Sequence, residues 1–421
     1  MYKYLVSFVL LTPLIGIILV ENGEYAGSVG RDGYPNGATL AYTGYVVIVI
    51  LTAIVSSKAK LIKYNATMSD SCCTASISGN HISSCRFNQF AGLLFIFNIA
   101  FLFIMLFGFN GIMVWLGSTE KGVFRATLGP WGLIPYLMTK FIAPALFAYA
   151  TVLYKRTVLN NLIRLLWWSN AIVIFLVGSV WGFKTTGLMM LLPALLILNW
   201  EISFLKLIKL FSFFILTLVI FFKLFDANLM ENTNVVMFLL NRLTVLQGDV
   251  SWHIWDLYIK SEPIPNYWPS LLAAFGDTPL TLFGVDKNNL NDWMSYHYDW
   301  MVTYMAGLPL ETIRDGHSIV GTPFSEGIVA GGYVGVILIA LIAGLLVGRS
   351  YFYLNFNLTT DNALRTSFIS TFFCFHTFAW LSGGAITQLF HISIIISLIV
   401  TYITLQVIIK WSNLLRTVCK Q

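Results

Sequence analysis

Apolar runs, each long enough or nearly long enough for a helix to cross a hydrocarbon layer, recur along this chain and constrain its fold more than any other feature. A bilayer core about 30 Å thick takes roughly 20 helical residues per crossing. Runs of that kind lie at residues 4–20, 39–56, 90–109, 131–154, 165–183, 188–200, 210–225, 327–348, 367–385 and 390–409, the sixth being short. Charged residues make up only 10% of the 421. A soluble domain carries about 25%, so this chain lacks the charge to coat a water-facing surface. Only helices or closed barrels satisfy their backbone in lipid, and runs of this length select helices. The sequence therefore predicts an all-α, polytopic membrane bundle of about ten or more transmembrane helices. Its start, Met1-Tyr2-Lys3-Tyr4, runs into apolar sequence with no small-residue cleavage pattern, and is expected to be a retained first span rather than a signal peptide.

Charge placement orients the bundle. With the N-terminus inside, the inner segments hold 15 of the 25 Lys and Arg residues, mostly in short loops. Of the 19 acidic residues those segments hold only Asp70, Glu201 and Asp361. The excess of positive charge on one side predicts both termini in the cytoplasm. Three parts follow: helices 1–7 in residues 1–225, an extracytoplasmic loop at 226–325, and helices 8–10 in 326–421. A connection of roughly 100 residues is far longer than geometry requires. Its content, including Trp252, Trp255, Tyr267, Trp268, Trp293, Tyr298 and Trp300, gives it apolar surface enough to fold. Apolar stretches at 235–246 and 300–310 suggest short helices along the membrane face. The net charge of +6, placed mostly in inner loops, reads as membrane orientation rather than nucleic-acid binding.

Several classes of chemistry find no support. There is no Walker A loop, no GxGxxG after a strand and no HExxH, which leaves nucleotide hydrolysis and zinc proteolysis without a motif. Cys72, Cys73 and Cys85 with His81 fit no zinc spacing and read as reduced thiols in an inner loop; the long loop has no cysteine. The first outer loop holds Glu21, Glu24 and Asp32 but no adjacent acidic pair. No cofactor and no metal are expected.

The sharpest constellation closes the loop. Arg314-Asp315-Gly316-His317-Ser318 is followed by Thr322-Pro323-Phe324-Ser325-Glu326-Gly327 and a span opening Gly331-Gly332-Tyr333-Val334-Gly335. Thr322 or Ser325 can N-cap that helix, with Pro323 in its first turn. Glu326 then either complements the helix dipole or works beside His317, a side chain able to take a proton from a sugar hydroxyl near neutral pH. An Arg binds a pyrophosphate bidentately. Three more basic residues sit where charge is costly. Lys140 falls within the fourth span and Lys184 at the outer end of the fifth, where snorkelling is the alternative. Arg242 opens the loop, where an ion pair with Asp249 is the alternative. Lys121 and Arg125 are expected to be surface charges.

His317-Ser318 followed by Glu326, Gly332 and Gly335 resembles the loop-end pattern of the Wzy-type O-antigen polymerases and their relatives, the O-antigen ligases. Gly182-Phe183-Lys184-Thr185-Thr186 is similar to a short outer turn that usually carries Arg in that superfamily, and Arg242 matches an Arg near the start of its large loop. The resemblance implies a GT-C-like fold in the bacterial inner membrane, with its large loop periplasmic. It implies transfer of a growing chain from one undecaprenyl-pyrophosphate carrier to the non-reducing end of a second lipid-linked repeat. His317, Glu326 and Arg242 would be catalytic, while Lys184, Arg314 and Lys140 would bind substrate pyrophosphate. A chain-length-regulating, Wzz-type co-polymerase would be the partner. A ligase would share the site but use lipid A core as acceptor. A flippase or transporter, the reading from a different class, would require inverted repeats and broken helices, which the sequence does not display.

Overall fold

The computed structural model describes residues 1–23, 33–58, 84–181 apart from 117 and 120, 184–209, 212–213, 215–216, 245–275, 279, 282, 284, 298–307, 319, 321–360 and 362–418. Among them every regular element is helical. Seven helices are long and apolar enough to cross a membrane: Tyr2–Glu21, Ala38–Lys58, Phe87–Gly108, Gly129–Arg156, Asn161–Trp181, Pro323–Thr359 and Ile386–Lys410. The protein is a multi-pass helical membrane protein. The expected sixth run is a shorter helix, the ninth is a helix interrupted by a π turn, and the seventh falls mostly outside the described residues.

Helix α1 (Tyr2–Glu21) ends on a carboxylate that begins the next helix. Glu21, 8% exposed, accepts from the backbone N–H groups of Asn36 (3.0 Å), Gly37 (2.6 Å) and Thr39 (2.9 Å), and from the Thr39 hydroxyl. These are orphan donors at the N-terminus of α2 (Ala38–Lys58), where a negative charge is also favoured by the helix dipole.

Elsewhere small residues let backbones touch, as expected where lipid removes the hydrophobic drive between helices. Pro323–Thr359 is two helices: a short α10 (323–330) and a long α11 (333–359). Gly344 and Gly348 of α11 lie against α2 so closely that an added Cβ would stand 2.7 Å from Val49 O and 2.4 Å from Ala53 O. The Ser56 hydroxyl donates to Gly344 O at 3.3 Å. Such an interhelical bond is worth only about 0.6 kcal/mol, so close packing carries the interface.

The break between α10 and α11 lies at Gly331 and Gly332. Gly332 has φ 58 and ψ −137, a region open in practice only to glycine. A straight helix would hold residues 327 and 336 roughly 13 Å apart, at about 1.5 Å per residue. Instead an added Cβ on Gly327 would lie 2.6 Å from the Val336 Cα, and one on Gly335 would lie 2.1 Å from Gly327 O. The short helix therefore folds back against the start of the long one. This corrects the sequence expectation of one uninterrupted span from Gly327 to Gly348.

The loop between spans also differs from expectation. Helix α7 (Leu246–Ile259) is buried within the bundle, with Trp252 and His253 each 1% exposed. An added Cβ on its Gly248 would meet Pro13 O at 2.5 Å, halfway along α1. Residues 235–244 lie outside the described residues, whereas the expected helix near 300–310 is present as α8 (Tyr298–Met305). His253 Nε2 donates to Met305 O at 2.7 Å, joining α7 to α8.

Candidate functional site

Glu326 is the expected site residue that the structure describes most fully. It sits in the first turn of α10, 0% exposed. Thr322 is the N-cap residue but makes no side-chain capping bond. Its hydroxyl lies 2.8 Å from the Ser251 hydroxyl of α7, and the Ser325 hydroxyl donates to Ser251 at 3.0 Å. The described ends of the long loop therefore meet here. The Glu326 carboxylate turns away from its own helix. Oε1 accepts from the Tyr267 hydroxyl and from the Ile386 N–H at 2.7 Å, and Oε2 accepts from Trp380 Nε1 at 2.8 Å. Burial and then the Glu326 charge push the Tyr267 phenol well above its ordinary pKa, so it remains an O–H donor. The Tyr298 hydroxyl donates to Thr322 O at 3.2 Å. Next to it Asp299 has its pKa pushed up to about 6 by burial.

Ile386 belongs to the segment that follows the helix formed by Ala363–Phe372, a π turn at Phe373–Phe378 and Ala379–Leu381. That segment also borders a cavity of about 680 Å³. Its polar wall includes Thr12, Tyr136, Lys140, Gln247, His376 and Gln388, set among aromatic side chains, and no acidic side chain is among its described lining. Lys140 lies in a π turn of its own, Met138–Ile142, inside the Gly129–Arg156 helix. Its Nζ stands 5.8 Å from the Phe375 ring centroid. Gln247, five residues after Arg242 in sequence, donates its side-chain amide to Ser382 O. The start of the long loop thus reaches the wall that holds Lys140.

His376 is in the Phe373–Phe378 π turn, and its ring lies 5.2 Å from that of Phe141, the neighbour of Lys140. Sequence reasoning passed over it as one residue of an apolar run. The rule that marked Lys140, an ionisable group inside a span, applied equally to it. Arg125, expected at the surface, is half-buried and within electrostatic reach of Lys140. Arg242, Arg314 and His317 lie outside the described residues, as does the Lys184 side chain.

No family model, curated protein or solved structure matches this chain. Its site is read from its own geometry. That geometry is a satisfied carboxylate hub and a basic, aromatic-lined cavity, both in contact with residues 382–391. The hub can hold elements in place, and the cavity can take an anionic, partly apolar guest.

Proposed function

We propose that this protein is a membrane glycosyltransferase acting on undecaprenyl-pyrophosphate-linked oligosaccharides, and specifically an O-antigen polymerase at the periplasmic face of the inner membrane. The observation that carries the reading is the cavity within the bundle that joins Lys140 to Gln247 and to the segment gripped by Glu326. A cavity of a few hundred Å³ with aromatic walls and a few polar groups is the usual form of a small-molecule site. An ammonium without a described carboxylate partner at such depth marks a site for an anion. In this reaction the hydroxyl of the incoming repeat attacks the anomeric carbon of the donor chain. The bond to the pyrophosphate breaks, and the lipid carrier leaves with the electron pair. Lys140, with Lys184, Arg314 and Arg242, would stabilise the leaving pyrophosphate. His317 would take the acceptor proton. Glu326, shielded and triply hydrogen-bonded, would serve by positioning the 382–391 segment. A Wzz-type co-polymerase would set product length.

The break at Gly331–Gly332 favours a second reading, a flippase or transporter of the same lipid-linked oligosaccharide, because discontinuous helices at a buried site are common in transporters. One experiment separates the two. Purified protein in liposomes is given lipid-linked repeat units without metal or nucleotide. A ladder of polymer lengths on a gel is expected. Passage of intact units across the bilayer without a ladder would establish the transporter instead. A ladder undiminished by His317→Ala or Arg242→Ala would overturn the roles given to those residues.

A further inference from the structure

We infer that the cavity between the two π turns seats the sugar–diphosphate head of a polyprenyl lipid, with Lys140 on the diphosphate and His376 Nε2 accepting from a sugar hydroxyl. The inference rests on the lipid-linked saccharide reading above and assigns a part to a residue that the loop-end pattern does not contain.

A π turn adds a residue to a helical turn at a cost in packing, and it occurs frequently where function requires a side chain to be re-aimed. Here two helices spend one each, at Met138–Ile142 and Phe373–Phe378, and each carries a basic side chain to the same cavity wall. The π turn at Ile104–Gly108 carries no polar side chain. The contacts of His376 fix its tautomer. Nδ1 lies 3.0 Å from Gln388 O. A carbonyl only accepts, so Nδ1 carries the hydrogen, and in the neutral ring Nε2 is left with a lone pair. That nitrogen is buried and has no hydrogen-bond partner among the described residues, in a residue 4% exposed. A buried polar atom without a partner costs free energy. A ligand hydroxyl that donates to Nε2 removes that cost. A diphosphate alone offers no such donor once it is ionised. The aromatic faces of Phe8, Phe141 and Phe378 suit a sugar ring and the first isoprene units.

The test uses the full chain in nanodiscs and two probes, undecaprenyl diphosphate and the same lipid bearing one sugar. Dissociation constants are read by native mass spectrometry. Lys140→Gln is expected to weaken both lipids alike, by about tenfold, through loss of a charged contact. His376→Asn keeps an amide able to donate to Gln388 O but has nothing at the Nε2 position. It should weaken only the sugar-bearing lipid, by about five- to tenfold. His376→Gln, whose amide oxygen reaches the Nε2 position, should restore much of that loss. Melting temperatures of all three variants check the fold. Equal effects of His376→Asn on both lipids, or no effect on either, would overturn the inference while leaving a polymerising wild type intact. If wild type binds neither lipid and forms no polymer, the lipid-linked substrate reading falls with it.

Discussion

Two buried polar regions flank residues 382–391, and they treat their ionisable groups in opposite ways. Around Glu326 each carboxylate oxygen has a donor, from Tyr267, Trp380 and the Ile386 backbone. Around Lys140 and His376 there is open volume, an ammonium facing an aromatic ring and an imidazole nitrogen with no partner among the described residues. A buried charge whose bonds are complete holds structure together, and breaking it strands its partners. A buried basic group left incomplete keeps its capacity for something that arrives later. The comparison therefore assigns stability to the first region and recognition to the second.

The largest effect expected is on the carboxylate hub. Glu326→Ala strands three donors at a fully buried position. At about 1 kcal/mol or more for each, the loss of stability is at least about 3 kcal/mol. The purified variant should melt far below wild type in detergent, and Glu326→Gln, which keeps one acceptor oxygen, should fall between them. A Glu326→Ala protein that melts with wild type would remove the distinction between the two regions.

Within the hub, Asp299 is the exception that sharpens the rule, because its Oδ1 has no hydrogen-bond partner among the described residues. Burial raises its folded pKa to about 6 from an ordinary 3.8. The folded state therefore binds the proton more tightly than the unfolded chain. Stability is greatest below about pH 4, falls as pH rises towards 6, and stays reduced above it. The penalty at neutral pH is roughly 2–3 kcal/mol by the usual 1.36 kcal/mol per pKa unit. Asp299→Asn should raise the melting temperature at pH 7.5, change it little at pH 4, and flatten the slope between them. A variant whose pH profile runs parallel to wild type would show that Asp299 is hydrated in the folded protein.

The hub depends on α10 folding back. Gly332→Ala adds about 1–3 kcal/mol of backbone strain and sets a methyl 2.3 Å from the Tyr258 hydroxyl. Tyr258→Ala in the same chain should recover the steric part and not the strain. Full recovery would mean that the left-handed backbone at Gly332 is not required.

The membrane class and seven crossing helices were legible in the sequence, because length and apolarity alone decide whether a helix can span a bilayer. The fold-back at Gly331–Gly332 was not. Two adjacent glycines in an apolar run read as a helix that brings backbones together, and only tertiary contact reveals a reversal. The same blindness hid α7, which falls inside the expected extracytoplasmic loop although its Asp249, His253 and Asp256 are each at most 2% exposed. Asp256 keeps its charge there because bonds from Lys260, Tyr34 and Asn36 outweigh burial and hold its pKa down. Of the candidate site, Glu326 and Lys140 were singled out because ionisable residues are conspicuous in a chain so poor in them. His376 met the same criterion. Its setting in a π turn, on the same cavity wall as Lys140, emerges only when two helices distant in sequence are placed side by side.

The smallest expected effect on stability is the most telling for the comparison. Lys140→Met removes an ammonium from the cavity wall and replaces it with an unbranched apolar chain. No described donor or acceptor loses its partner, and the desolvation of a charge is relieved. Such replacements are often neutral or stabilising, by about 1–2 kcal/mol in favourable cases. The variant should therefore melt with or above wild type, yet lose the polymer ladder and bind both lipid probes about tenfold more weakly. Activity loss at full stability is the signature of a group kept for a ligand. A fall in melting temperature comparable with that of Glu326→Ala would instead make Lys140 part of the frame, and the cavity a packing defect around it.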